Sequence, residues 1–172
     1  QTSCPWLMSN LIELNKDSRP IAGCKEFHII EAQGFKIGCL GFAEEAWLDQ
    51  LSPCIDVKQL KYLDFNEQLR KYSKILKEEH KCDLIVALNH MRVPDDNKMA
   101  ENNKTDVIDL VFGGHDHSYV SELKKDTGVY VLKSGTDFET FTNFTVLFDV
   151  AEDDYKTYHE SVKDKLTEDL VV

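Results

Sequence analysis

Long apolar runs, basic charge and paired-cysteine motifs are all scarce in this chain, and each shortage excludes something. No stretch of the 172 residues approaches the ~20 apolar positions that a membrane-spanning helix needs. Lys and Arg number 20 against 31 Asp and Glu, for a net charge of −11. A nucleic-acid surface needs clustered basic residues, and so does a polybasic membrane patch. Neither a nucleic-acid polymer nor a membrane is therefore expected as a partner. The five cysteines stand at 4, 24, 39, 54 and 82, so no Cys-x-x-Cys zinc pattern exists. The odd count leaves at least one thiol unpaired within the chain. Cys39 and Cys82 lie in or beside apolar runs and read as buried small hydrophobes. This usage favours a reducing, cytoplasmic compartment. The sequons at Asn103 and Asn143 speak for secretion, but among eight asparagines about one arises by chance. Gln1-Thr2-Ser3-Cys4-Pro5-Trp6 has no basic segment ahead of an apolar one, so it is no signal peptide. Without an initiator Met it suggests a processed chain or an excised piece. Internal repeats, low-complexity blocks and a Gly-x-Ser-x-Gly nucleophile motif are also missing.

What is present reads as a layered α/β protein. With 42% hydrophobic residues the chain can bury one substantial core. Phe27–Ala32 and Phe35–Phe42 flank Gln33-Gly34 and predict a β-hairpin, with Leu7–Ile12 a short strand before it. Asp64-Phe-Asn-Glu67 is a capping box, and Leu69, Tyr72, Ile75 and Leu76 follow at helical spacing, so residues 65–80 form an amphipathic helix. Asp83–Leu88 is a continuous apolar run, the mark of a strand covered on both faces. Pro94–Asn103 reads as a short helix and loop, with Asp95-Asp96 a solvated helix start. Val107–Phe112 is a second buried strand, and Gly128–Lys133 and Asn143–Asp149 are further strands. Residues 1–150 thus form one unit. The charged tail, 151–172, forms strand and helix or stays partly disordered.

The chemistry concentrates at two strand ends. Residues 112–117 read Phe-Gly-Gly-His-Asp-His, on the turn that leaves the second buried strand. The two glycines permit positive φ and close backbone approach, so the turn can be sharp. Asn89-His90 ends the first buried strand. Ligands of open α/β sheets gather at the carboxyl ends of strands. With those strands adjacent and parallel, His90, His115 and His117 converge and can ligate a divalent cation. Asp116 reads equally as a carboxylate orienting an imidazole or as a solvated turn residue. Asn89 is a candidate for the same supporting role. His28, His80 and His159 lack this context and read as surface or satisfied histidines. Asp109, on the buried strand, faces a helix end without chemistry. Gly38-Cys-Leu-Gly41 lies in a strand with no following Lys-Ser/Thr and is not a phosphate cradle. Lys133-Ser134-Gly135, after a strand, reads as a turn, with a hydroxyl placed near the site as the alternative.

Ala87-Leu-Asn-His-Met91 followed by Gly113-Gly-His-Asp-His117 resembles the last two metal motifs of the calcineurin-like metallophosphoesterases. Pro5-Trp-Leu-Met-Ser-Asn10 resembles the segment after the Gly-Asn-His motif in the 5′-nucleotidase branch. The resemblance implies half of an αββα sandwich and a dinuclear centre of divalent cations, with Mn, Zn, Fe and Mg left open. It implies that His90 and His115 hold the second cation and His117 the first. The substrate implied is a phosphate ester, clamped by both cations while hydroxide attacks phosphorus in line. The chain departs from the pattern: Asp-x-His, Gly-Asp-x-x-Asp and Gly-Asn-His-Glu/Asp are all missing. With them go the bridging carboxylate and the leaving-group histidine, so no residue here takes a catalytic role. The expectation is the second half of a catalytic domain, active in its parent and inactive alone. Two alternatives stand beside it: a non-catalytic module that binds a partner or dimerises through an uncovered apolar face, and a single-cation site.

Overall fold

The computed structural model describes residues 3–14 and 18–147. Residues 1–142 form one compact unit. Its elements in chain order are β1 (Leu11–Glu13), β2 (Arg19–Pro20), β3 (Phe27–Ala32), β4 (Phe35–Ala43), α1 (Trp47–Leu51), β5 (Leu60–Tyr62), α2 (Phe65–Glu78), β6 (Leu84–His90), α3 (Val93–Glu101), β7 (Leu110–Phe112), β8 (Tyr119–Lys124) and β9 (Val129–Ser134). Residues 143–147 are the described part of a second unit and carry neither helix nor strand, so the strand expected there is not seen. The expected tail, 151–172, and His159 with it, lies outside the described residues.

Six strands form the main sheet in the order β3-β4-β6-β7-β9-β8. The inner four run parallel, and an antiparallel strand closes each edge. A second sheet of three strands has the order β2-β1-β5. The β3–β4 hairpin forms as expected, because Gln33 and Gly34 both take positive φ, +52° and +87°. Two left-handed residues in a two-residue loop match the twist of the flanking strands. The Asp64 cap forms too, its carboxylate accepting the Glu67 N–H at 2.9 Å.

Both long helices pack on one face of the main sheet. Register puts Leu40, Ile85, Ala87, Val111, Val129 and Val131 on that face, against Leu69, Tyr72 and Leu76 of α2 and Met99 and Ala100 of α3. Side chains alternate along a strand, so His90 points to the opposite face from Asn89. Cover on that opposite face is uneven: Val86 is buried, while Leu88 is 46% exposed. The expectation of cover on both faces therefore holds for the start of β6 and fails at its end. Cys39 and Cys82 are buried free thiols, as their apolar surroundings predict.

Candidate metal centre

Four parallel strands deliver their carboxyl ends to one rim. β4 ends at Ala43 and hands on Glu44. β6 ends at His90, β7 leads into His115 and His117, and β9 carries Lys133. Parallel register aligns these ends, with Ala43 opposite His90 and Leu88 opposite Phe112.

His90 Nε2 and His115 Nδ1 face each other at 3.2 Å, with ring centroids 5.1 Å apart and planes at 81°. Two imidazole nitrogens bound to one tetrahedral cation at about 2.1 Å stand roughly 3.4 Å apart. The pair therefore fits adjacent positions on a single ion. Burial lowers the His90 pKa, and the neighbouring His115 lowers it further. A neutral imidazole is the form that binds metal. His117 lines the same cavity of about 370 Å³, with Glu44, Trp47, Gln50 and Arg92. Among the described residues, no group of three or more His, Cys, Asp or Glu side chains is arranged to hold a metal ion. Full convergence of the three histidines is thus corrected to a meeting pair with His117 beside it. His115 and His117 both sit at positive φ, +79° and +55°, which turns the backbone sharply at each.

The glycine reading needs correction in one of its two parts. The left-handed conformations fall on the histidines, not on Gly113 or Gly114. Gly113 serves close approach instead. A Cβ there would overlap Asp96 Oδ2 and lie 2.7 Å from Lys133 Cε.

Around the pair stand residues that sequence reasoning missed. Glu44 is 4% exposed, and its carboxylate holds Arg92 twice: Nη1 at 3.0 Å and the backbone N–H at 3.0 Å. The same carboxylate lies 4.0 Å from His115 Nε2. Trp47 donates its indole N–H to the His90 carbonyl at 3.2 Å and sets its ring edge-on to the imidazole, 4.9 Å between centroids. The strand-end rule that found the histidines would have found Glu44 and Lys133, had β4 and β9 been recognised as parallel neighbours of β6 and β7.

Asp95-Asp96 is not a solvated helix start: Asp96 is fully buried. Its Oδ1 accepts from Asn89 Nδ2 at 2.8 Å, and its Oδ2 lies 2.8 Å from Lys133 Nζ. Burial raises the Asp96 pKa, against the opposing pull of Lys133 and Asn89. Nor does Lys133 stand on a turn: it lies within β9 and is 2% exposed. Asp116 accepts from Lys133 Nζ at 2.5 Å and from the Val93 N–H at 2.8 Å, and neither bond goes to an imidazole. Desolvation is the largest single influence on its pKa and raises it, but the Lys133 bond and charge, with the Val93 bond and His115, together outweigh this and leave it below the ordinary value. Asp109, expected to face a helix end, instead accepts the Ile85 N–H at 2.8 Å and so joins two strands.

No family model matches the chain. It is 34% identical over 92 residues to an apyrase of Tabanus yao, a match over 54% of this chain and 16% of that protein. It is 29% identical over 103 residues to the trifunctional nucleotide phosphoesterase protein YfkN of Bacillus subtilis strain 168, a match over 60% of this chain and 7% of that protein. The chain thus spans a small part of the curated relatives it matches. The NAD nucleotidase NadN of Haemophilus influenzae aligns with a TM-score of 0.61 at 18% identity, over 77% of this chain and 26% of that one. A 5′-nucleotidase precursor of Thermus thermophilus aligns at 0.57 and 15%, over 76% and 28%. The chain has the fold of part of these nucleotidases.

Proposed function

We propose that this chain is the later part of the catalytic domain of a metal-dependent phosphoesterase acting on phosphomonoesters, nucleotides foremost. The observation that carries the reading is the pair of imidazole nitrogens 3.2 Å apart on the ends of adjacent parallel strands. His90 and His115 would hold one divalent cation, and His117 would contribute to a second. Such cations polarise the phosphoryl group and make water a nucleophile at neutral pH. Arg92, held by Glu44 at the cavity wall, adds positive charge where a phosphate dianion would sit. Trp47 walls the pair from solvent on one side. Sequence similarity to an apyrase and a nucleotide phosphoesterase supports the substrate class.

The donor set here supplies imidazoles without the bridging carboxylate, because Asp-x-His and Gly-Asp-x-x-Asp are missing from the 172 residues. Two cations held this way would be under-neutralised. The chain alone should therefore not turn over substrate. A phosphatase assay with Mn²⁺ compares it with a longer chain that carries those two motifs upstream. Activity only in the longer chain supports the reading, and full activity of the 172 residues alone overturns it. Calorimetric titration with Zn²⁺ separates the one-cation alternative by stoichiometry. Equal binding by the native chain and His115→Ala would exclude both.

A further inference from the structure

Lys133 is the most enclosed cation of the described residues, at 2% exposure, and nothing in the chemistry proposed above uses it. A buried ammonium persists only where oxygens replace its lost water. Three do so by hydrogen bond, the Met91 carbonyl at 2.8 Å, the Gly114 carbonyl at 2.7 Å and Asp116 Oδ2 at 2.5 Å, and Asp96 Oδ2 at 2.8 Å adds an ion pair. Their places in the chain matter more than their number. Met91 follows His90, Gly114 precedes His115, and Asp116 separates His115 from His117. Asp96 in turn holds Asn89, the residue before His90. One ammonium therefore touches both the turn that follows His90 and the turn that carries His115. The left-handed φ of His115 and His117 needs such restraint, because non-glycine residues leave that region when unheld. Gly113 leaves the space that the cluster fills.

We propose that Lys133 is a positioning residue: its ammonium ties the turn after β6 to the turn after β7, so that His90 Nε2 and His115 Nδ1 face a common point. The functional part of this inference rests on reading those histidines as metal ligands. The geometric part does not. A residue serving only to neutralise buried Asp96 and half-buried Asp116 would leave the imidazoles indifferent to its loss.

The test is made on the full chain. In the metal-free protein, NMR contacts between the His90 and His115 rings are compared for the native chain and Lys133→Met, with the methyl signals of Val131 and Met99 as a check on the core. The expected result is loss of the inter-ring contacts with the core signals kept. Co²⁺ affinity, followed by its visible absorption, should fall by about 10- to 100-fold, the usual cost of losing a residue that orients ligands. Retained inter-ring contacts in a folded Lys133→Met overturn the proposal. If that variant does not fold, Asp116→Asn takes its place, since it loosens one turn and leaves the Lys133–Asp96 pair. Unchanged ring contacts and unchanged Co²⁺ affinity in Asp116→Asn also overturn it. A native chain that binds no Co²⁺, while Lys133→Met still loses the ring contacts, sinks the reading of His90 and His115 as a metal site on this chain and leaves the positioning role standing.

Discussion

The two ends of the parallel strands use charge in opposite ways. At the amino end, carboxylates serve the backbone. Asp83 accepts the Lys36 N–H at 2.7 Å, and Asp109 accepts the Ile85 N–H at 2.8 Å. Each supplies a bond where a neighbouring strand starts late, so these side chains are absorbed into the sheet. At the carboxyl end, the charges meet one another and a cavity. Lys133 gathers two carboxylates and Glu44 holds Arg92, while His90 and His115 keep ring nitrogens that no strand uses. The same four strands thus have a closed end and an open one. This difference, rather than the presence of histidines, is what supports proposing the carboxyl end as the place for chemistry.

Glycine substitutions test this contrast most severely. Gly113→Ala at the carboxyl end drives a methyl into Asp96 Oδ2, deep in the buried ion cluster, and should cost about 3 kcal/mol. Gly38→Ala on β4, nearer the amino end, meets Leu76 Cδ1 at 2.9 Å. That atom is the tip of a flexible side chain, so the cost should be about 1 kcal/mol. Urea unfolding of both variants reads the difference. A larger loss at Gly38 would mean that the ion cluster yields more easily than the helix-covered core.

Asp109 tests the amino end by itself. Asp109→Ala strands the Ile85 N–H and should cost about 1–3 kcal/mol. Burial raises the Asp109 pKa, with the Ile85 bond and Lys77 opposing. For a carboxyl raised in the folded state, the native protein binds more protons than the unfolded chain. Its contribution to stability is complete below the unfolded value, near 3.8, and is lost as pH rises through the higher folded value. Asp109→Asn keeps an acceptor oxygen and removes the titration. Unfolding followed between pH 4 and 7 should show a shallower decline than in the native chain. An unchanged slope would place the proton uptake elsewhere.

Much of this arrangement was legible in the sequence where local chemistry decides it. Gln33-Gly34 specifies its own turn, Asp64 its own cap, and the apolar run before Asn89-His90 a buried strand with a polar end. What stayed hidden depends on partners distant along the chain. Asp96 looks like a solvated helix start until β9 brings Lys133 over it. Glu44 follows nine strand residues with nothing to distinguish it from Glu45, except that Arg92 lies across the sheet's rim. β8 has a mostly exposed pattern, and β9 supplies its pairing. Of the two uses expected of the glycines before the His-Asp-His turn, freedom at φ is used by neither, while close approach is used at Gly113, whose missing Cβ is what counts.

The smallest effect sharpens the comparison furthest, because the closed and open ends each hold a non-glycine residue in left-handed backbone. Lys81, between α2 and β6, has φ +58° and ends a helix, a position that favours glycine. His115 has φ +79° on the rim. Glycine relieves the steric cost in both places, against some added freedom of the unfolded chain. Each variant should gain about 0.5 kcal/mol in urea unfolding. Their Zn²⁺ affinities should part completely: Lys81→Gly keeps the native value, while His115→Gly loses binding at least tenfold. Strain at Lys81 is then a by-product of chain geometry that selection has left in place. Strain at His115 is kept because the imidazole is needed where it stands. If His115→Gly binds Zn²⁺ as the native chain does, the rim is only another way of ending strands, and the two ends are alike after all.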